Sequence, residues 1–377
     1  MATLQAKMGE KLRLRALSDF RAGQSARKPT SLVLARVIAA FVLGIPGVIG
    51  LFGVVVMALG FPNVGLLALG ALAIALAWLI RPRHLRVPKH FVTAQAAPKL
   101  FGLLGEIAAD LKAPLPDAVV IDDDFNASIG HYGRGKRQQL ILRIGAPLWL
   151  SLNEPERLAL IAHEFGHTVN NDPARRGLIA AALQVLWQWR DLWGTPSVWD
   201  TETNTNYGSG EGLLSRIMTG TMRAILTALI ALLMRLMFVE SQRAEYLADA
   251  LSAKVAGSDA AIALMRTTTL FPLVVQALNG TYITENAKTD LLRLIANAIR
   301  AADPQARDKL YQAAEAEGIS LDATHPPTKQ RIRFLSDLAQ PRGPIKLSKA
   351  TADAIDRELS PEFARIETIL RRHLMVQ

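Results

Sequence analysis

The sequence predicts a mainly α-helical chain with a small β-sheet, attached to transmembrane helices. Three observations predict it. Residues 37–80 form a single uncharged run of 44, about twice the ~20 apolar residues one helix needs to cross a bilayer. Beyond residue 90 apolar residues recur mostly at helical spacing, broken by two short stretches of strand character. Half of the 377 residues are hydrophobic (50%) and the mean hydropathy is +0.20, high for a chain without membrane segments.

Residues 1–32 read as a basic cytoplasmic segment, with Lys7, Lys11, Arg13, Arg15, Arg21, Arg27 and Lys28 against Glu10 and Asp19. Residues 33–80 read as a hairpin of two spans, with Gly60, Pro62, Asn63 and Gly65 supplying turn chemistry. A second basic flank follows at Arg81, Arg83, Arg86 and Lys89. Positive charge at both ends of the hairpin and none in its turn directs both ends, and the bulk of the chain, to the cytoplasm. The 36 residues before the run, and its length, argue against a cleaved signal peptide. Much of the formal charge of +10 is accounted for by these flanks. They carry no interleaved aromatic platform, so nucleic acid is not an expected partner.

Residues 99–111 carry an apolar stripe at helical spacing (Leu100, Leu103, Leu104, Ile107, Leu111). Residues 115–124 read as a short strand into a polar turn, 130–138 as loop and 139–144 as a second strand. A helix then opens at Asn153, an N-cap with Glu156 as its capping-box partner and Pro155 in the first turn. It carries Leu158, Ile161, Ala162 and Phe165 as its apolar stripe and stops near Asn171.

Residues 177–239 read as an inserted membrane-associated segment. Its two apolar stretches, 177–193 with Trp187, Trp189 and Trp193 and 213–239 with Arg216, Arg223 and Arg235, suit third and fourth spans. Amphipathic helices lying on the bilayer are the alternative. Between them, residues 194–212 hold three acids and neither Lys nor Arg. Residues 260–280, with Arg266 and Pro272, read as buried helix rather than a fifth span.

The chemistry is concentrated in "AHEFGHTVNND" (162–172). Residues i and i+4 share a helix face, so His163 and His167 can turn two imidazole nitrogens to one metal ion. Glu164 beside them can take a proton from a metal-activated water, which is why the H-E-x-x-H spacing suits a zinc peptidase. The chain has no cysteine, so a third ligand must be His, Asp or Glu. "ESQRAEYLADALSAKVAG" (240–257) offers Glu245 and Asp249, again four apart. One can bind zinc while the other accepts the N–H of a ligand histidine; Glu240 is a rival ligand.

These motifs resemble those of the HtpX-like and CAAX-prenyl-protease membrane zinc metallopeptidases, over roughly residues 90–340 and the hairpin before them. "FNASIG" (125–130) matches the family's Asn-Ala signature, "AHEFGHTVNND" its H-E-x-x-H helix and "EYLAD" (245–249) its E-x-x-A-D motif. "THPPTKQRIRFL" (324–335) matches the segment near the end of its domain. The resemblance implies a zincin-type α+β peptidase domain in two parts, 90–176 and 240–377. It implies one Zn2+ per chain held by His163, His167 and Glu245, with Asp249 behind a ligand histidine. Glu164 is then the base, His325 a catalytic donor to the oxyanion, and Asn126 and Ala127 a substrate-binding edge strand. Arg331 is read as the partner of an acid on the motif helices. Family members often carry arginine three residues before the ligand glutamate; here Gln242 stands there and Arg243 follows.

The expected function is cleavage of unfolded or membrane-associated polypeptides in protein quality control, at the cell (inner) membrane, with prenyl-peptide processing the second substrate class. A non-catalytic zinc-binding scaffold or sensor is the alternative. The expected partners are polypeptide substrate and membrane lipids.

Overall fold

A computed structural model describes all residues except 1, 22–29, 83–86, 134, 170–176, 194–212, 280–289, 317–325 and 376–377. In chain order the elements are α1 (Ala2–Arg21), α2 (Thr30–Gly60), α3 (Val64–Ile80), α4 (Pro98–Leu111), β1 (Ala118–Asp122), β2 (Ala127–Tyr132) and β3 (Gln139–Gly145). There follow α5 (Ala146–Ser151), α6 (Glu154–Val169), α7 (Gly177–Leu192) and α8 (Leu213–Ala256). The chain closes with α9 (Ser258–Thr268), α10 (Phe271–Asn279), α11 (Leu291–Arg300), α12 (Pro304–Ala316), α13 (Thr328–Leu338) and α14 (Lys349–Met375). Two compact units emerge: residues 1–26, 85–172 and 240–377 form one, residues 27–84 and 173–239 the other.

The first unit holds the sheet. Its order is β1-β3-β2, with β3 parallel to β1 and antiparallel to β2. Central β3 is nearly all buried, as a strand covered on both faces must be. Strand β2 runs on to Tyr132, into residues whose glycines and charges read as loop, because pairing with Gln139 and Leu140 of β3 completes their backbone hydrogen bonds. Helices α4 and α6 bury their apolar stripes against this sheet in one core, centred on Leu100, Leu104, Ile107, Leu142, Trp149 and Phe165. Helix α14 fastens the arrangement. Glu358 accepts from the first backbone N–H groups of α4 (Lys99 at 2.9 Å), and Glu367 does the same for α11 (Leu291 at 2.9 Å). Asp356 accepts a fork from buried Arg157 of α6 at 2.9 and 3.0 Å, and the indole N–H of Trp149 at 2.9 Å.

Helix α1 (Ala2–Arg21) belongs to this unit. Ala16 and Leu17 of α1 are buried with Tyr246, Phe334 and Leu335, and buried Arg13 binds Glu10 and Asp337. Residues 258–278 are apolar and long enough to count as a span by composition. They break at Thr269–Leu270 into α9 and α10, and Ala260, Leu264, Leu270 and Val274 lie in the core.

The second unit is apolar outside as well as inside. Leu32, Ala35, Ala39 and Val42 of α2 pack with Ile179, Ala182 and Leu186 of α7 and Leu226, Ile230 and Leu233 of α8. Helices α2 and α3 meet at Gly53 and Gly70, where a Cβ on either residue would fall 2.7 or 2.6 Å from the other's carbonyl oxygen; close backbone approach through small residues is how helices associate in lipid. Phe41, Val48, Leu51, Leu72 and Trp78 are exposed, an arrangement that water disfavours and lipid does not. Residues 31–60 and the apolar length of α8 from Ile217 are long enough to cross a membrane; α3 is apolar but shorter.

Candidate metal centre

The site is made where α6 crosses the C-terminal part of α8. Helix α6 opens with a reciprocal capping box: Glu156 N–H donates to Asn153 Oδ1 at 3.0 Å, and Asn153 N–H to Glu156 Oε2 at 3.1 Å. That fixes the start of a helix whose interior turns, Glu156 to Thr168, are all buried. Gly166 lies against Ala248, so closely that a Cβ on it would sit 2.7 Å from Ala248 Cα. Ser252 Oγ donates to Ala159 O at 2.8 Å one step along the same crossing. The backbones therefore approach closely enough for side chains of "HEFGH" and "EYLAD" to share one space.

Three side chains converge there. His163 Nε2 and His167 Nε2 are 3.2 Å apart. Glu245 sets Oε2 3.7 Å from the first and Oε1 3.6 Å from the second. Glu164 belongs to the same group, with ligand atoms of His163, Glu164 and His167 all within 4.8 Å of one another. Asp249 takes the other side of the first ring, its Oδ1 3.2 Å from His163 Nδ1. The two ring nitrogens thus separate the two acids of α8: Glu245 faces the nitrogens that point together, Asp249 the one that points away. The Glu240 carboxylate is 3.9 Å from Arg243 Nη1.

Arg331 of α13 braces the pair. It donates from Nε and Nη2 to the two Asp249 oxygens at 2.8 and 2.6 Å, and its Nη2 is 3.6 Å from Glu245 Oε2. Burial works against the Arg331 charge, but Asp249 and Glu245 outweigh it and drive the guanidinium pKa up. Burial also holds the His163 imidazole below its ordinary range, against the opposing pull of Asp249. With Nδ1–H given to Asp249, His163 keeps a lone pair on Nε2, a tautomer assigned from the hydrogen-bond network. Arg243 turns away, 3.4 Å from Asp19 of α1, so Arg331 is the arginine of this site.

This donor set fits a divalent ion. Four-coordinate zinc with bonds of about 2.0–2.1 Å places its ligand atoms about 3.3 Å apart, close to the 3.2, 3.6 and 3.7 Å found. Two imidazole nitrogens and a carboxylate turned to one point are the nitrogen and oxygen donors that zinc takes in the absence of cysteine.

Asn126 and Ala127 lie at the start of β2, an outer strand of the sheet. Asn126 is exposed and its Oδ1 accepts from Ala127 N–H at 2.8 Å; Ala127 is buried. No hydrogen bond among the described residues joins either to the histidines. His325, residues 194–212 and the helix stop expected near Asn171 lie outside the described residues; α6 is described as far as Val169. The Gly166–Ala248 crossing, the Ser252 clamp and the Tyr246 Oη–Gln330 Oε1 hydrogen bond (3.1 Å) were not read from the sequence; a glycine inside the H-E-x-x-H turn is the one local sign of the first.

A helical domain closing two histidines and buried carboxylates around one point, on a chain with apolar helices of membrane-crossing length, is the build of a membrane metallopeptidase. The chain belongs to peptidase family M48, which it matches over residues 94–339. It is similar to the protease HtpX homolog of Pyrobaculum calidifontis, at 27% identity over 258 residues, 65% of this chain and 69% of that protein. The protease HtpX homologs of Pyrococcus abyssi and Streptococcus equi subsp. equi are each 27% identical, over 67% and 66% of this chain and 77% and 75% of theirs. No solved structure gives a significant match.

Proposed function

We propose that this membrane protease is a zinc-dependent endopeptidase acting on extended segments of unfolded or membrane-associated proteins at the cytoplasmic face of the cell (inner) membrane. The convergence of His163 Nε2, His167 Nε2 and the Glu245 carboxylate within 3.2–3.7 Å carries the reading. His163, His167 and Glu245 would hold the ion, and three protein ligands leave one position open, as a catalytic site requires. Zinc, when bound, supplies a Lewis acid that brings the pKa of water to about 7. Glu164, adjacent to the ligands and not needed among them, takes the proton of the attacking water and delivers it to the departing amine. Asp249 holds the His163 ring in its tautomer and Arg331 holds Asp249. Strand β2 has no neighbour among the described residues on the edge away from β3, and α6 packs against it. An extended substrate can add to that edge through backbone hydrogen bonds, with Asn126 and Ala127 at its start. Recognition of backbone rather than side chains suits quality control of damaged proteins.

The test is detergent-purified wild type beside Glu164→Gln and Glu245→Gln, with zinc per chain and cleavage of an unfolded protein measured on the same preparations. The expected result is one zinc in wild type and Glu164→Gln, cleavage in wild type alone, and zinc lost from Glu245→Gln. Zinc in both of the first two with cleavage in neither favours a scaffold; zinc in none removes the metal reading.

A further inference from the structure

We propose that the groove between α1 and α13 binds the anionic headgroup of a membrane phospholipid. The groove encloses about 860 Å³ and is lined by Glu10, Lys11, Leu14, Arg15 and Ser18 of α1 and by Lys329, Gln330 and Arg333 of α13. Its cations are paired in register: Lys11 and Arg15 lie four apart on one helix, Lys329 and Arg333 four apart on the other, so each pair shares a helix face. All four are exposed, and none has a carboxylate within ion-pair distance among the described residues. The nearby acids are already engaged: Glu10 is bound by Arg13 at 2.6 Å, and Asp337 is held by Arg13 as well. Arg13, with a smaller pull from Arg333, holds the Glu10 carboxyl below its usual range, so this one carboxylate stays ionised, and the four lining cations still outnumber it. Four cations face one groove against the single Glu10 carboxylate, which Arg13 already binds, an unfavourable excess of like charge that a further anion relieves.

Two features choose a lipid over a free anion or an acidic protein. Leu14, 50% exposed, stands between the cations and gives an amphiphile an apolar contact that phosphate cannot use. The chain also tethers the groove to the bilayer. In sequence, residues 22–29 are all that separate Arg21 of α1 from Thr30 of the apolar helix α2. The groove begins at Ser18, less than one further helical turn away. Anionic leaflets attract such basic juxtamembrane faces at about fivefold in affinity per cation. Residues 1–21 lie outside the region 94–339 matched to the family, and this site is independent of whether the metal centre cleaves peptides.

The experiment uses the full chain in dodecyl maltoside, titrated with fluorescent phosphatidylglycerol and, in parallel, fluorescent phosphatidylcholine. The variants are Lys11→Gln/Arg15→Gln and Lys329→Gln/Arg333→Gln. Arg342→Gln/Lys346→Gln, exposed cations that do not line the groove, controls for net charge. Saturable binding of phosphatidylglycerol, weakened roughly 25-fold by either groove pair and unchanged by the control, together with weak phosphatidylcholine binding, supports the proposal. Equal binding of the two lipids, or equal loss in the control and groove variants, overturns it. Displacement of the lipid by inorganic phosphate or by poly-glutamate at lower concentration than by unlabelled phosphatidylglycerol also overturns it, and assigns the groove to a free anion or an acidic polypeptide.

Discussion

Arg331 braces the candidate metal centre from outside its group of donor atoms. Its fork on Asp249 neutralises a carboxylate that is 2% exposed, and that carboxylate orients His163. Removing one partner of a buried pair leaves an uncompensated charge at a cost of about 3 kcal/mol. Arg331→Met is therefore expected to lower the melting temperature in detergent and to weaken zinc binding about 10–100-fold, the usual effect of disturbing a ligand's hydrogen-bond partner. Arg331→Lys keeps the charge but not the planar fork, so it should recover stability further than zinc affinity. Equal zinc affinity in wild type and both variants, by competition with a chelator, would show that Asp249 holds His163 without help. That His163, Glu164 and His167 come together was legible because i to i+4 spacing is a local property of one helix. Which nitrogen faces which acid was not, since that depends on side chains more than 70 residues apart in sequence, on two helices that must meet at a fixed angle.

The crossing of α6 and α8 is the element on which the site stands, and Gly166 is its narrowest point. In an isolated helix Gly166→Ala would be favourable by roughly 0.5–1 kcal/mol. Here the new methyl meets Ala248 Cα at 2.7 Å and Cβ at 3.1 Å, so the helices must separate and the ligand atoms with them. We expect Gly166→Ala to keep its helix content by circular dichroism yet lose at least tenfold in zinc affinity, and Ala248→Gly added to it to restore part of the loss. Unchanged zinc affinity in the single variant would mean that the crossing has slack. Helix α14 makes a second prediction at this scale. Asp356→Ala strands buried Arg157 at a cost of about 3 kcal/mol, whereas Glu358→Ala removes only a helix cap, about 1 kcal/mol; denaturant midpoints should rank them so, and the reverse order would place the weight of α14 on α4 instead of α6. Such roles are invisible in sequence, because an acid 199 residues from its partner looks like any solvated charge. Helix α1 was legible in principle: Arg13, Ala16, Leu17 and Phe20 fall at i, i+3, i+4 and i+7, a stripe that the density of basic residues obscured.

At the scale of the whole molecule the open quantity is how many times the chain crosses the bilayer, and physical arguments pull both ways. Helix α7 has 16 residues, about 24 Å of helix against a hydrocarbon core of about 30 Å, and α8 carries exposed Arg235 within its apolar length, where a charge facing lipid is costly. Against this, α7 and the first part of α8 bury apolar faces with α2. Arg190 caps the Trp187 ring at 4.1 Å, and Trp189 donates to Ile80 O at 2.7 Å at the end of α3, the interfacial chemistry of helix ends in membranes. Residues 194–212, with three acids and no Lys or Arg, suit the far side. The absence of cysteine makes the question directly measurable, since any cysteine introduced is the sole reactive thiol. Phe61→Cys in the α2–α3 turn, Ser209→Cys and Ser348→Cys at the start of α14 would each be exposed to a membrane-impermeant maleimide in intact spheroplasts. Four spans with the peptidase unit inside require labelling at 61 and 209 from outside, and at 348 only after permeabilisation. Labelling at 61 with protection at 209 reduces the chain to one hairpin, with α7 and the start of α8 held on the inner face. Labelling at 348 with protection at 61 inverts the orientation, and the basic flanks of the hairpin would then lie on the side that positive charge avoids.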